Sequence, residues 1–193
     1  MNEERPGLVV LLTGLSGAGK STIATRLAIH IETAFRRKVT LLDGDTLRKT
    51  ISSGLGFSRE DRCENIRRAG KIMCEIVRSG DVCVCALIAP YRDARDEVRA
   101  LVRQVGYFME VYVDTPLEEC ERRDPKGLYA KARAGLIQRM TGLDDPYEPP
   151  NQPEVTIATL SLSPDEAVRM IMDSIIREAY LLPDRGWERS SLP

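Results

Sequence analysis

The sequence predicts an α/β fold of three layers, with helices on both faces of a mainly parallel five-stranded sheet. Three observations predict it. Short continuous apolar runs recur along the chain, helical patterns alternate with them, and the first run leads straight into a glycine-rich turn. Leu8-Val9-Val10-Leu11-Leu12 opens the series without polar alternation, as a strand covered on both faces requires. Val39 to Leu42, Val82 to Ile88 and Tyr107 to Val113 repeat the pattern, and Val155 to Leu160 is the weakest and last. Arg59 to Ser79 places Ile66, Ala69, Met73 and Ile76 on one helical stripe with charges elsewhere. Arg92, Arg95, Arg99 and Arg103, interleaved with Asp93, Asp96 and Glu97, predict a helix with a solvated face of i,i+4 ion pairs. The segment 124–153 is rich in Gly, Pro and charge; it reads as a mobile lid rather than a linker, because a strand and a helix still follow it. A last helix is predicted over 164–181: Ser163 caps it, Pro164 sits at N1 and Glu166 at N3 completes a capping box. Val168, Ile171, Met172, Ile175 and Ile176 form its inward face.

The 193 residues fit a single domain, with a short tail, 182–193, that carries Trp187. Lys plus Arg at 28 against Asp plus Glu at 29 leaves a formal net charge of −1, which argues against a general nucleic-acid binder. No uncharged run approaches the ~20 apolar residues of a membrane helix, and Glu3, Glu4 and Arg5 ahead of the first apolar run do not have the layout of a secretory signal. Five cysteines, an odd number in a chain this long, point to a reducing, cytoplasmic setting without a disulfide framework. Cys83 and Cys85 alternate in one strand and read as core. A single histidine, His30, excludes a histidine-based triad and a multi-histidine metal site.

Gly14-Leu15-Ser16-Gly17-Ala18-Gly19-Lys20-Ser21 matches G-x-x-x-x-G-K-[ST], and Ser21-Thr22-Ile23-Ala24 begins a helical pattern behind it. Glycines at these positions let successive backbone N–H groups converge on phosphates, and the helix N-terminus adds positive potential. Lys20 is then the group that reaches the β- and γ-phosphates, and the Ser21 hydroxyl is a ligand for Mg²⁺. The chain is read as binding ATP. No lysine is followed two positions later by aspartate, so the guanine-reading motif of switch GTPases is absent, and the chain is short for a motor. A small-molecule kinase is the favoured class.

Asp43-Gly44-Asp45 closes the second apolar run, and carboxylates at the C-terminal end of a parallel strand sit where ligands bind in such sheets. Asp45 there suits a base for an attacking hydroxyl and Asp43 a Mg²⁺-orienting group, although the same residues also suit an Asp-Gly turn that caps a helix. Several motifs together resemble the adenylylsulfate kinase family: Asp43-Gly-Asp45, Leu55-Gly-Phe-Ser58, Glu60-Asp-Arg62, Glu64-Asn-Ile-Arg-Arg68, Ala89-Pro-Tyr-Arg92, Arg123-Asp-Pro-Lys-Gly-Leu-Tyr129, Lys131-Ala-Arg-Ala-Gly135 and Thr141-Gly-Leu-Asp-Asp-Pro-Tyr-Glu-Pro-Pro150. The resemblance covers about three-quarters of the chain, residues 7–153. It implies phosphorylation of the ribose 3′-hydroxyl of adenosine 5′-phosphosulfate by Mg-ATP, giving 3′-phosphoadenosine 5′-phosphosulfate. By position it implies Asp45 near the 3′-hydroxyl, Arg48 and Arg62 on the phosphosulfate, Phe57 on adenine and Asn65 on the substrate. It implies Ile88, Ala89 and Arg92 around that pocket, with Lys126, Met140 and Thr141 reaching in from the lid. A homodimer, working beside an ATP sulfurylase, is implied in the same way. The residue types agree with this chemistry: planar arginine forks match tetrahedral oxyanions, and Arg62 and Asn65, three apart, share a helical face.

Three positions depart from the family pattern. Ala89 stands where many members have a serine discussed as a phosphorylated intermediate, and without a hydroxyl only direct in-line transfer is possible there. Met140 replaces a common phenylalanine, and Thr46 a common asparagine. These departures keep open a related kinase for another nucleotide-like acceptor; a second alternative, a non-catalytic nucleotide-binding relative, has the intact Lys20, Ser21, Asp43 and Asp45 against it. Arg122 and Arg123, just ahead of the lid, are further candidates for stabilising charge on a transferring phosphoryl group.

Overall fold

The predicted apolar runs form β1 (Leu8–Thr13), β2 (Val39–Asp43), β3 (Val82–Ala86), β4 (Tyr107–Asp114) and β5 (Val155–Ala158) in a computed structural model that describes residues 6–183. Glu3, Glu4, Arg5 and Trp187 lie outside those residues. The strands pair in the order β2-β3-β1-β4-β5, every pair parallel. Strand alternation sorts the side chains into two cores. Leu8, Val10 and Leu12 face α1 (Lys20–Phe35) and α7 (Pro164–Arg177). Val9 and Leu11, with Cys83 and Cys85, face α3 (Arg59–Arg78) and α4 (Arg92–Val102). Burial pushes the Cys83 thiol up to about 12, so it stays protonated and serves as packing.

Several boundaries differ from the sequence prediction, each for a local reason. β3 stops at Ala86 rather than Ile88, because the chain leaves the sheet ahead of Ala89, whose φ is 44°. β5 stops at Ala158, where Ser161 N–H turns back onto its carbonyl. α7 has the predicted capping box but ends at Arg177 rather than 181. Ala179 takes φ 54° there, and Tyr180 N–H bonds the Ile175 carbonyl, which closes the helix with a left-handed cap. The 124–153 segment is not a bare loop: it contains α6 (Leu128–Arg133), which follows α5 (Leu117–Arg123).

The largest correction concerns α4. Arg95 and Arg99 are expected on a solvated face, yet Arg95 is 1% exposed and pairs with Glu110 of β4 at 2.6 Å. Arg99 pairs with Glu110 at 2.9 Å and also with Glu154. A helical row of alternating charges gives the same periodicity whether its partners are on the helix or on a strand beneath it. Among the described residues, no helix is long and apolar enough to cross a membrane.

Candidate active site

β1 lies between β3 and β4, where the order of connections reverses, so the loops leaving its C-terminal end flank a crevice. Residues 14–19 occupy that crevice as a phosphate loop. Gly14 has φ 150°, and a Cβ on it would lie 2.5 Å from the Val113 carbonyl oxygen. Only glycine fits there. Gly19, in the left-handed region, delivers the chain into α1, whose first residue is Lys20. The Lys20 ammonium is folded back onto the loop, donating to the carbonyls of Gly14 at 3.0 Å and Leu15 at 2.6 Å. Burial is the main cause that lowers its pKa to about 8. Ser21 Oγ donates to Asp43 Oδ2 at 3.0 Å, which brings both predicted metal ligands together. The other oxygen of Asp43 accepts the Asp45 N–H at 2.9 Å and caps the short α2 (Gly44–Lys49), so the capping role and the predicted metal-orienting role fall on one side chain.

A single cavity of about 760 Å³ runs from this loop to the acceptor side. Its walls include Ser16 to Thr22, Asp43, Asp45, Arg48, Phe57, Arg62, Asn65, Ile88, Ala89 and Lys126. Asp45 is ion-paired with Lys126, which reaches across from the predicted lid. Phe57 is 54% exposed, consistent with a ring that is not core. Arg48 and Arg62 approach its ring centroid at 4.5 and 5.5 Å. Burial, and next the nearby Arg62 charge, hold the Arg48 guanidinium below its ordinary pKa. Two arginines kept this close suit an anionic ligand between them. Asn65 lies three residues beyond Arg62 on α3, as its spacing predicts, and its Oδ1 is buried without a hydrogen-bond partner among the described residues.

Five predicted residues do not reach the cavity wall. Gly14 and Leu15 serve the loop through the carbonyls that hold Lys20. Arg92 is turned away, its guanidinium donating to the Pro149 carbonyl at 3.0 and 3.2 Å. Met140 packs its side chain into the α1/α7 core. Thr141 is 1% exposed, bridged to Asp145, and its hydroxyl has no partner among the described residues. The structure also adds residues to the cavity wall: Ile157, Thr159, Leu162, Pro164 and Ala167. Their sequence signals were those of a strand end and a helix cap, which carry no mark of a ligand. Arg123 lies there too, 4.0 Å from where a Cβ on Gly19 would be, whereas Arg122 only pairs with Glu119.

A phosphate loop that opens onto a carboxylate and two arginines across one cavity defines an ATP-dependent kinase of the P-loop class. The model of the adenylylsulphate kinase family matches residues 6–158. An adenylyl-sulfate kinase of Synechococcus sp. is 50% identical over 177 residues, covering 92% of this chain and 99% of that one. Another from Pseudomonas aeruginosa is 49% identical, over 89% of this chain and 86% of that one. The solved Mycobacterium tuberculosis APS kinase CysC in complex with AMPPNP and APS superposes with a TM-score of 0.83 at 40% identity, over 88% and 98% of the two chains. The chain belongs to the adenylylsulfate kinase family.

Proposed function

We propose that the chain transfers the γ-phosphoryl group of Mg-ATP to the ribose 3′-hydroxyl of adenosine 5′-phosphosulfate, giving ADP and 3′-phosphoadenosine 5′-phosphosulfate. The observation that carries this reading is that Asp45, Arg48, Arg62 and Phe57 line the cavity that also holds the phosphate loop. In this reading Lys20 leaves the Gly14 and Leu15 carbonyls for the β- and γ-phosphates, which restore the charge that burial disfavours. Ser21 Oγ and Asp43 Oδ2, hard oxygen donors side by side, fit a Mg²⁺ shared with those phosphates, where it would neutralise charge on the transferring group.

Asp45 accepts the 3′-hydroxyl proton as the oxygen attacks the γ-phosphorus and the bond to the β-phosphate oxygen breaks. Lys126, paired with Asp45 in the free protein, is released toward the substrate's charge. Arg48 and Arg62 hold the phosphosulfate, Phe57 stacks on adenine, and Asn65 donates or accepts at the acceptor nucleotide. Ala89 offers no hydroxyl, so transfer is direct, with no covalent phosphoenzyme at this position. Arg92, Met140 and Thr141 serve this reading by holding the 140–150 segment over the site. A homodimer and an ATP sulfurylase that supplies the acceptor belong to the same reading. So does a cytoplasmic setting, which the buried free thiols of all five cysteines support.

The test is ADP release from Mg-ATP with and without adenosine 5′-phosphosulfate, with the nucleotide product identified by mass. Acceptor-dependent ADP and a product one phosphate heavier are expected. A folded, ATP-binding preparation that shows no stimulation would overturn the reading.

A further inference from the structure

Arg95 is the largest fully buried side chain among the described residues, and its three donor groups go to three separate segments. Nε bonds Glu110 of β4 at 2.6 Å, one terminal nitrogen bonds the Ala89 carbonyl at 2.6 Å, and the other bonds the Glu148 carbonyl at 2.7 Å. Glu110 is itself fixed, because Arg99 holds its second oxygen at 2.9 Å. A guanidinium suits this task because its five N–H groups, spread over three nitrogens in a planar fork, reach three separated acceptors at once.

Thr13, the last residue of β1, makes a matching set of contacts from the other side. Its hydroxyl donates to the Ile88 carbonyl at 2.6 Å and lies 2.9 Å from the Tyr147 hydroxyl. With the threonine proton committed to Ile88, the phenol must be the donor in the second bond. Burial raises the Tyr147 pKa well above its ordinary value, which keeps that proton in place. Glu148 N–H closes the arrangement on the Pro90 carbonyl at 2.8 Å. Residues 88–90 and 147–148 are therefore locked to each other by Thr13 and Arg95.

The locked loop is the acceptor wall. Ile88, Ala89 and Pro90 line the cavity, while Thr13 and Arg95 do not. Ala89 also has φ 44°, a conformation that costs an L-residue energy and persists only where its surroundings over-determine it. Resting on the function proposed above, we infer that Thr13 and Arg95 are positioning residues for the acceptor nucleotide. They hold the 88–90 backbone in its strained form and tie the 147–148 segment to it. The phosphate loop begins at the residue after Thr13, yet the loop's contacts to Lys20 do not pass through these bonds. The effect falls on the acceptor.

The test measures kcat and both KM values for Arg95→Lys, Thr13→Val and Tyr147→Phe, alongside thermal midpoints. Lysine keeps the charge opposite Glu110 but cannot span three acceptors, so its KM for adenosine 5′-phosphosulfate should rise at least fivefold with the KM for ATP within twofold. Thr13→Val, close to isosteric, should raise the acceptor KM about threefold. Tyr147→Phe, which removes only one of the two bonds to Thr13, should give a smaller shift in the same direction. A merely structural role lowers the active fraction, and so reduces apparent kcat while leaving both KM values unchanged. That result, in a parent chain that turns over adenosine 5′-phosphosulfate, overturns this inference alone. If Arg95→Lys does not fold, Thr13→Val decides by the same criterion. A parent chain without acceptor-dependent turnover overturns the proposed function and this inference with it.

Discussion

The two ends of the cavity are built in opposite ways. At the ATP end, consecutive residues 14–22 form a loop and the first turn of α1, and the backbone itself is the binding group. At the acceptor end the wall is gathered from α2, the turn holding Phe57, α3, the loop after β3 and Lys126, and the binding groups are side chains. A local cradle depends on glycine conformations and one lysine. A gathered wall depends on long-range contacts such as those of Arg95. The first therefore tolerates change in the surrounding fold, and the second transmits it to substrate affinity.

Substitutions at the two ends should separate accordingly. The largest effect is expected for Lys20→Ala, which removes the one charged side chain of the cradle. Its kcat should fall about 10³-fold, as for other preorganised charge-stabilising donors, read as ADP release at saturating acceptor. Activity within tenfold of the parent would mean that backbone groups alone carry the ATP end. Asp45→Asn comes next. It should lose about 10²–10³-fold in kcat, in the range of a general base, while ATP affinity measured by calorimetry stays within a few-fold. Loss of ATP binding instead would move Asp45 from the acceptor side to the ATP side.

Phe57→Ala should act on one end only. Losing a base–aromatic stack worth ~1–3 kcal/mol should raise the acceptor KM by about 5- to 150-fold, with the ATP KM unchanged. Equal changes in both would show that the two ends are not independent. The smallest effect is a pH dependence at the ATP end. Burial lowers Lys20 from 10.5 to about 8, so between those values the folded chain holds fewer protons than the unfolded one. The sign follows: this lysine's contribution to stability is least favourable below about pH 8 and improves as pH rises toward 10.5. ATP, which needs the ammonium, should bind more weakly above about pH 8, by at most tenfold per unit, with proton uptake on binding. Calorimetry in two buffers of different ionisation enthalpy measures both. A flat ATP affinity from pH 7 to 9 would remove Lys20 titration from the account.

Legibility in the sequence follows the same division. The strand runs, the phosphate loop and the Ser163 capping box were readable because each is a pattern within a few residues whose physics is local. Arg62 and Asn65 were readable as a shared helical face, and the structure puts both on the cavity wall. Arg95 and Arg99 of α4 were misread as solvated because their partners, Glu110 and Glu154, lie on and beyond a different strand. Arg92 and Met140 were placed in the acceptor pocket by resemblance, but the turn of the 140–150 segment points one at Pro149 and buries the other. Ile157, Thr159 and Leu162 carried no local signal at all, since they become cavity wall only when α7 packs beside α1.

By itself, the sequence determined the layered α/β architecture, the ATP cradle and the chemical types on the acceptor side. The first two rest on backbone propensity, on periodicity and on glycines that no other residue can replace; the third rests on motifs that resemble the adenylylsulfate kinase family. The tertiary structure alone decided which arginines line the cavity and which are buried struts, where the strands and the last helix stop, and how Ala89 is held at a positive φ. Those outcomes depend on which distant group satisfies each buried charge and carbonyl, and that pairing is settled only when the layers close.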